Sequence, residues 1–423
     1  MRTHAHNRYT WLLYILTVPF IIGCNTSGRN DLKSATMTKT FIKGSFGYDA
    51  DFLAKHSIET VILKDSSSGA CVMVAPGLQG RVMTSSADGE NGLSFGWINY
   101  RLFDSAKVSD QFNPYGGEER LWLGPEGGPF SIYFKKGTSQ VFENWKVPPA
   151  LDTEPFEIAK QEKNAVSFKK DFVLDNYSGT PMTIGIERTV KIFSRDEIEK
   201  SLGITTDSSV KAVAYQSGNV LINKGSNDWK KEYGFLSVWI LSMFNPSEKG
   251  VVFIPFKPGS EKDLGVKVHD DYFGKVPADR LKIGEDKLFF KVDGKQRGKI
   301  GIPPMRALPY CGSYDPEQHV LTVLWYSKPD KPVEYVNSKW GEQDNPLKGD
   351  VINSYNDGPV EDGSVMGPFF EIESSSPAAL LNAGDSIKHI QRVFHFTGPE
   401  EKLNLIAVSI FGVSLSEVKT AFN

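Results

Sequence analysis

Two acidic residues, Glu371 and Glu373, alternate with Phe370 and Ile372 near the C-terminal end of the chain. On a β-strand this alternation places both carboxylates on one face and both apolar side chains on the other. Two carboxylates on one face tend to raise one of their pKa values, which suits general acid or base catalysis near neutral pH. A solvent-facing strand edge that avoids aggregation has the same pattern. We predict Glu371 and Glu373 as catalytic candidates, with the edge strand as the structural alternative.

A second acidic motif lies at residues 115–120, where two glycines lead directly into two acids and an arginine. A glycine pair lets the backbone turn sharply and approach a ligand closely. Carboxylates and a guanidinium can form paired hydrogen bonds to vicinal hydroxyls. A turn with a surface ion pair, beside tryptophans of the core, would have the same sequence. The substrate-binding residues predicted around this motif are Arg81, Tyr115, Glu118, Glu119, Arg120 and Trp145.

Residues 353–357 read NSYND and precede the strand that carries Glu371. Such side chains stabilise turns, and they can also donate and accept hydrogen bonds to a sugar. We predict Tyr355 and Asn356 as further substrate-binding residues, and a turn with no ligand is the alternative.

The histidines give a weaker signal. His389 and His395 are six residues apart on a predicted last strand and therefore face the same side. A histidine on a half-buried sheet that hydrogen-bonds to the backbone explains this pattern as well as an acid or a metal ligand does. His269 is followed by two aspartates, but neighbouring strand residues point to opposite faces, so this cluster favours a strand end or turn. We predict no metal site and no cofactor.

Composition excludes one class of partner. The chain has 423 residues, with 48 Lys and Arg against 51 Asp and Glu, and a net charge of -3. A nucleic-acid-binding protein needs a strongly basic face to displace counterions from phosphates. We therefore expect no nucleic-acid partner, and the near-neutral charge is compatible with a neutral sugar.

Short runs rich in Val, Ile, Phe, Tyr and Trp follow one another through most of the chain, separated by Gly, Pro, Asn and Asp. This pattern is typical of a large antiparallel β-sheet system. Helix periodicity is confined to short stretches such as 194–203 and 414–423. No linker, repeat or low-complexity tract interrupts the pattern. We predict a mainly antiparallel all-β fold with a few short helices, in one domain covering residues 36–423.

The N-terminus has the features of a secretion signal. Two arginines precede the apolar run 11–23, which is shorter than the roughly 20 residues needed to span a bilayer. The run ends in Gly23-Cys24 and resembles a bacterial lipobox, although an ordinary signal peptide is the alternative. We expect a signal peptide at 1–23, lipidation of Cys24, a flexible tether at 24–35 and an envelope lipoprotein anchored in the outer membrane. In that compartment Cys71 and Cys311 form either one disulfide or two buried thiols.

Four segments together resemble a known superfamily: GLQGRVMTSS, NPYGGEERLW, GPFFEIESSSP and LNAGDSIKHIQRVFHF. Their order is similar to that of the aldose 1-epimerase (galactose mutarotase) superfamily, a large β-supersandwich. More narrowly, GWINYRLF, GGEERLWLGPEGG, YNDGP and EIESSSPAALL look like an uncharacterised family of bacterial lipoproteins assigned to that superfamily. The resemblance implies a carbohydrate ligand on the concave face of the sheet.

By this resemblance Glu371 occupies the position of the superfamily's catalytic base, which takes the proton from the anomeric hydroxyl. Two positions depart from the pattern. Tyr115 stands where the first active-site His precedes two glycines, and Leu241 stands where the acid His precedes Ser-Tyr-Phe-Asn. The sequence therefore leaves open whether the chain is an epimerase-like enzyme or a non-catalytic glycan-binding or structural lipoprotein.

Overall fold

A computed structural model describes residues 40–360 and 362–423. Residues Phe41–Asn423 form one compact unit. The predicted signal peptide, Cys24 and the tether lie outside the described residues, and the predicted domain boundaries stay predictions.

The described residues contain eighteen strands. In chain order they are β1 (Val61–Lys64), β2 (Cys71–Ala75), β3 (Arg81–Ser86), β4 (Arg120–Gly124), β5 (Glu157–Gln161), β6 (Ala165–Asp175), β7 (Pro181–Ile192), β8 (Lys211–Asn223), β9 (Ser237–Phe244), β10 (Val251–Pro255), β11 (Leu281–Ile283), β12 (Lys287–Lys291), β13 (Gly298–Ile302), β14 (Tyr310–Asp315), β15 (Val320–Tyr326), β16 (Ile352–Asn356), β17 (Phe370–Ser375) and β18 (Ser386–Thr397).

The strands form three sheets in which the paired strands are antiparallel. A ten-stranded sheet has the order β11-β12-β10-β14-β15-β18-β8-β7-β6-β5, and a five-stranded sheet has the order β13-β16-β17-β9-β4. A small sheet, β1-β2-β3, completes the set. The predicted antiparallel all-β class is confirmed.

The main core lies between the ten-stranded and the five-stranded sheets. Ile372 on β17 and Val393 on β18 are both fully buried in it. The Ser374 hydroxyl, on the same face of β17 as Ile372, hydrogen-bonds to His389 of β18. Because side chains alternate along a strand, Glu371 and Glu373 lie on the opposite face of the five-stranded sheet. We call that face, which points away from the ten-stranded sheet, the outer face.

The helices are α1 (Phe46–Lys55), α2 (Tyr100–Ser105), α3 (Pro149–Asp152), α4 (Arg195–Leu202), α5 (Glu261–Leu264), α6 (Glu400–Phe411) and α7 (Leu415–Thr420). The helices predicted at 194–203 and 414–423 are confirmed as α4 and α7, each of which begins with a capping box. The sequence did not predict α6, because apolar residues such as Leu405 and Val408 lie on its exposed side and obscure the helical pattern. In the described part of the chain, no helix is long and apolar enough to cross a membrane.

One of the apolar runs, FSIYFKK at residues 130–136, has the composition of a strand. It is irregular in the structure, so the strand predicted there is wrong. Its side chains, including Ile132 and Phe134, are nevertheless buried in the main core. A turn at Gly128, where φ is +80°, precedes this run. The run is therefore buried by side-chain packing and does not pair with a strand. Cys71 and Cys311 are buried free thiols, so the predicted disulfide alternative is wrong.

Candidate functional site

The outer face of the five-stranded sheet collects charged and aromatic side chains in register. One row runs from Arg120 on β4 through Leu241 on β9 and Glu373 on β17 to Asn353 on β16. Asn353 pairs in turn with Gly301 on β13, and Gly301 forms a bridge to His269 beyond the sheet edge. A parallel row joins Met243, Glu371, Tyr355 and Lys299. Side chains that are far apart in sequence therefore share one surface.

Glu371 is held by an arginine on the far side of β9. The Arg120 guanidinium donates a hydrogen bond of 2.9 Å from Nη2 to Oε1 of Glu371. Glu371 is 5% exposed. Burial raises the pKa of Glu371 to about 7, the Arg120 charge opposes that rise, and the neighbouring Glu373 adds to it. A carboxyl with a pKa near neutrality can both accept and return a proton at physiological pH.

Arg120 has hydrogen-bonding capacity left over. Its Nε and Nη1 atoms are buried and have no hydrogen-bond partner in the described residues. The guanidinium carbon lies 4.3 Å from the ring centroid of Trp122 and 5.5 Å from that of Phe112. Arg120 therefore combines cation–π contacts with donors that Glu371 does not use.

Glu373 is the second acid of the outer face and is 1% exposed. Its Oε2 accepts hydrogen bonds from the Lys299 ammonium at 2.8 Å and from the Trp239 indole at 2.9 Å. Its Oε1 is buried and has no partner among the described residues. Burial lowers the pKa of Lys299, but Glu373 and Glu126 raise it, and the net direction is upward. One oxygen of Glu373 is thus bound by Lys299 and Trp239, and the other has no partner among the described residues.

Beyond Glu373 lies a hydrogen-bonded chain of four side chains, His269, Asp350, Tyr272 and Asn353, which we call the relay. The Nδ1 atom of His269 is 2.9 Å and 3.1 Å from the two carboxylate oxygens of Asp350. Tyr272 donates a 2.5 Å hydrogen bond to the same carboxylate and accepts one of 3.2 Å from the Asn353 amide. The bond to Asp350 raises the pKa of His269, although burial opposes the rise. Since the His269 side chain is 35% exposed, a protonated imidazole here is accessible to a ligand.

Gly301 makes room for this relay. A Cβ atom at Gly301 would lie 2.0 Å from Oδ2 of Asp350 and 2.5 Å from Nδ2 of Asn353. Any larger residue would displace Asp350 from His269. The glycine in the middle of β13 is therefore explained by the close approach of the relay.

A cavity of about 20 Å³ lies in the middle of this arrangement. That volume accommodates about one water molecule. The lining residues are Ser237, Trp239, Tyr272, Lys299, Val336, Ser338, Asp350, Asn353, Glu373 and Ser375. Glu373 and the relay residues Tyr272, Asp350 and Asn353 therefore face the same small space, and Glu371 is not among the residues that line it.

An aromatic cluster closes the β4 side of the outer face. The Trp145 ring stacks parallel to Tyr133 at a centroid distance of 6.2 Å and lies 6.2 Å from Trp122. Trp122 in turn contacts Trp239 edge to face at 5.6 Å. The predicted residue Trp145 is thus buried in this cluster, and its indole nitrogen has no partner among the described residues. It belongs to the wall of the site and is not an exposed platform.

The structure does not bring Glu118 and Glu119 to Glu371. Glu118 accepts hydrogen bonds from Ser85 at 2.8 Å and from His395 of the ten-stranded sheet at 2.9 Å. Glu119 accepts from Arg188 at 2.8 Å and from Gln391 at 2.9 Å. Both acids are fully buried between the two sheets. The alternative of a surface ion pair at this motif is also wrong, because the pair is internal.

The other predicted residues divide between the two sides of the sheet. Tyr355 lies on the outer face beside Glu371, and its hydroxyl donates to Asp357 at 2.9 Å. Asn356 faces inward and bonds to Gln296 and Gly294. Arg81 lies on β3 of the small sheet and Tyr115 lies outside the strands, so neither belongs to the five-stranded sheet.

The Arg81 guanidinium donates to the carbonyl of Gly116 at 2.7 Å. Burial lowers the pKa of Arg81 to about 9. The ring of Tyr115 packs against Phe103 at 5.1 Å. The outer face therefore unites Arg120, Tyr355, Glu371 and Glu373 out of the predicted set.

His389 and His395 share one face, as predicted, but it is the inner face. Burial lowers the pKa of His389 to about 3, so this imidazole stays neutral against Ser374. His269 and Asp270 do not form a metal centre with other ligands, and within residues 40–360 and 362–423 no group of three metal-ligating side chains is found.

Sequence reasoning missed several residues of the outer face: Glu126, Trp239, Tyr272, Lys299 and Asp350. Glu126 lies within the segment GGEERLWLGPEGG, but nothing in that segment singles it out. Trp239 and Lys299 reach Glu373 because β9 and β13 flank β17 and β16, and Tyr272 and Asp350 come from segments outside the strands. One signal was available. His269 was the histidine with acidic neighbours, and its role as a hydrogen-bonded acid is an alternative to metal binding.

The chain matches a family model described as "Family of unknown function (DUF6786)" over residues 44–422. No curated protein matches the chain. Similar solved structures include a protein from Synechocystis, with a TM-score of 0.47, 13% identity, and coverage of 81% of this chain and 96% of that one.

Two further structures carry names that refer to mutarotases. A galactose mutarotase-like protein from Lactobacillus casei has a TM-score of 0.42 and 11% identity, with coverage of 80% of this chain and 100% of that one. A galactose mutarotase related enzyme from Lactobacillus acidophilus has a TM-score of 0.43 and 9% identity, with coverage of 81% and 97%.

Proposed function

We propose that this chain, which belongs to the DUF6786 family of unknown function, binds a sugar on its outer face and that Glu371 acts there as a general base. One observation carries the proposal. A buried carboxyl with a pKa of about 7 lies beside a second carboxylate, an arginine with free donors and a wall of tryptophans. Sugar sites combine such hydrogen-bonding groups with flat apolar faces.

The reaction that suits this arrangement is exchange of the anomers of an aldose. Glu371 takes the proton of the anomeric hydroxyl, and an acid donates a proton to the ring oxygen. The bond from the anomeric carbon to the ring oxygen breaks, which gives the open-chain aldehyde. Reclosure on the other face of the carbonyl returns both protons. No oxidant or cofactor is needed.

His269 is the group that fits the role of acid. Its Nδ1 is bound to Asp350, and its other ring nitrogen has no hydrogen-bond partner among the described residues. His269 lies three strand spacings, roughly 14 Å, from Glu373. Glu371 is two residues farther along the same strand. Two side chains with a pyranose between them span such a distance. Leu241 stands at the position of the superfamily's acid His and cannot donate a proton. In this proposal His269, from another segment, takes the role of that acid.

Sugar binding on the outer face requires the site to open. The present cavity of about 20 Å³ is too small for a hexose. Four lining residues lie outside the five strands: Tyr272, Val336, Ser338 and Asp350. Asp350 is bound to His269. We propose that the segments of Tyr272 and of residues 336–338 move outward when a sugar binds.

A second candidate function is binding without turnover. Two observations favour it: Arg120 already holds Glu371, and Lys299 already holds Glu373. The two functions are separated by measuring both saccharide binding and the rate of anomerisation in wild type and Glu371→Gln. Binding with no rate above the buffer background identifies the second function, and no binding at all rejects both.

The proposed location is the bacterial envelope. Its support is the sequence of residues 1–35, in which an apolar run ends at Gly23-Cys24 and a polar segment follows. In this proposal Cys24 carries the lipid anchor, and the folded unit acts on sugars beside the membrane.

A further inference from the structure

A larger cavity lies on the other side of the five-stranded sheet. It has a volume of about 640 Å³, within the 300–1,000 Å³ typical of small-molecule sites. Phe370, the neighbour of Glu371 on β17, lines it, and so do Thr322 and His395 of the ten-stranded sheet. Because adjacent strand residues point to opposite faces, this cavity, which we call the inner cavity, is separate from the outer face.

The floor of the inner cavity is polar where the space between two sheets is normally apolar. Ser313, Thr322 and His395 lie side by side on β14, β15 and β18. Thr322 and His395 hydrogen-bond to each other at 2.9 Å. Ser313 is 5% exposed and lines the cavity, and its hydroxyl has no hydrogen-bond partner among the described residues. This hydroxyl can therefore bond to a ligand or to water in the cavity.

A second hydroxyl in the wall is also unsatisfied. The Oγ atom of Ser247, in the turn after β9, is buried and has no partner among the described residues. Hydroxyls both donate and accept hydrogen bonds. Two of them without partners in one cavity match a ligand that itself carries hydroxyl groups.

Aromatic rings form the apolar part of the lining. Phe95 stacks on His395 with ring centroids 4.3 Å apart and planes inclined by 20°. Phe244 contacts Phe370 at 5.4 Å and meets His395 edge to face at 5.4 Å. Flat apolar faces next to hydroxyls suit a ring with C–H groups on its faces and hydroxyls at its edge.

The charges of the lining exclude an anionic ligand. The charged residues of the cavity wall are Lys43, Asp49, Glu248, Asp293, Asp315 and Glu317. Glu248 is paired with Lys295, and Asp293 with Arg280. The Lys43 ammonium lies 4.8 Å from the Tyr100 ring centroid. That leaves three acids without an ion pair, Asp49, Asp315 and Glu317, against one lysine, and this excess of negative charge disfavours phosphates and carboxylates.

The acids give no strong binding site for a cation either. Asp49 is buried and accepts hydrogen bonds from Ser94 and Tyr100. Burial raises the pKa of Asp49, which weakens its charge. Oδ1 of Asp315 accepts the backbone N–H groups of Glu317 and Gln318. The lining therefore favours a neutral ligand.

We propose that the inner cavity is a second ligand site, which binds a neutral saccharide of one or two rings between Phe95, Phe244 and Phe370 and the hydroxyls of Ser247 and Ser313. This site is independent of the proposed function of the outer face. A chain with both sites would hold two parts of one glycan or two separate sugars.

Saturation-transfer NMR with glucose, galactose and cellobiose tests the proposal on the folded protein. Ser313→Val and Ser247→Ala each remove one unpaired hydroxyl, and each is expected to weaken binding about tenfold, the value of one hydrogen bond. Glu187→Gln, at an exposed position on β7 outside both sites, is the control and is expected to leave this binding unchanged. Ser247 lies in a turn and not in a strand, so Ser247→Ala should fold even if Ser313→Val does not. Ser247→Ala then tests the site by itself.

Three outcomes overturn the proposal. One is the absence of saturation transfer to all three saccharides. Another is equal affinity of the wild type and both serine variants. The third is tighter binding of glucose 6-phosphate than of glucose. Binding that is lost in Glu371→Gln but kept in Ser247→Ala places the sugar on the outer face, so that the inner site fails while the proposed function stands.

Discussion

Arg120 and Glu371 are 251 residues apart in sequence and are joined by a 2.9 Å hydrogen bond across strand β9. The bond fixes a carboxyl that burial would otherwise keep protonated. Arg120 thereby sets the pH at which Glu371 can serve as a base. The relationship leads to a direct prediction about the pKa of this carboxyl.

Arg120→Met removes the positive charge and keeps a long apolar side chain on β4. The pKa of Glu371 is expected to rise above its wild-type value of about 7, because Arg120 lowers it. Carbon-13 NMR titration of labelled glutamate side chains, with Glu371→Gln to assign the signal, measures the change. A pKa that stays constant or falls would show that Arg120 does not act on Glu371.

Glu371 also makes folding stability depend on pH. Its folded-state pKa lies above the ordinary value of 4.5, so its contribution is fully present below pH 4.5 and is lost as pH rises towards about 7. Between pH 4.5 and pH 7, the unfolding free energy of Glu371→Gln is expected to decrease less than that of wild type, by about 1–3 kcal/mol. Urea unfolding at both pH values measures it, and Glu187→Gln, at an exposed position on β7, is the matched control. Identical pH dependence in Glu371→Gln and wild type would contradict the prediction.

The buried pair of Glu119 and Arg188 is a structural element and not a sugar contact. Both side chains are fully buried. Arg188→Met is expected to cost about 3–5 kcal/mol of unfolding free energy, since Glu119 loses its cation. The double variant with Glu119→Gln should lose less than the sum of the two single variants, because no unpaired charge is left. Additive losses in denaturant unfolding would show that the two residues do not act as a pair.

Two pairs of acids show how far the sequence predicts this site: Glu371 and Glu373 on the outer face, and Glu118 and Glu119 between the sheets. Strand alternation correctly places Glu371 and Glu373 on one face. It does not extend to Glu118 and Glu119, because Gly116 and Gly117 precede them with φ of +86° and +109° and break the alternation. The sequence could not reveal which face each motif would take.

Other parts of the site depend on sheet order. Lys299 meets Glu373 because β13 and β17 flank β16, and β13 belongs to a segment with no motif. The all-β class follows from the spacing of apolar runs, which is a local property. The pairing of strands distant in sequence is not local, and no pattern of residues in this chain encodes it visibly.

The contact between His269 and Asp350 predicts a second pH effect. Here the protonated form that the fold stabilises is charged, whereas the protonated form of Glu371 is neutral. Asp350→Asn removes the main cause of the raised His269 pKa, so this pKa is expected to fall. Folded-state stability from the protonated pair is present below the ordinary pKa of 6.5 and is lost as pH rises through the raised value. Proton NMR titration of the imidazole in wild type and variant measures the shift. A His269 pKa that is unchanged in the variant would remove this residue from the role of acid.

Cys24 is expected to anchor the protein. Cys24→Ser should move the protein from the membrane fraction to the soluble fraction of the cells that express it. The mass of the mature wild-type N-terminus, determined by mass spectrometry, should correspond to a lipid-modified Cys24. An unmodified Cys24, or a membrane fraction that is equal in the variant, would contradict the anchor.

The most direct test of the central claim is the anomerisation rate of α-glucose and α-galactose, followed by NMR at pH 7. The account predicts a protein-dependent rate in wild type that falls about 100-fold or more in Glu371→Gln and stays unchanged in Glu187→Gln. A rate no greater than the buffer background in wild type, or an equal rate in Glu371→Gln, would contradict the claim that Glu371 is a general base for sugars.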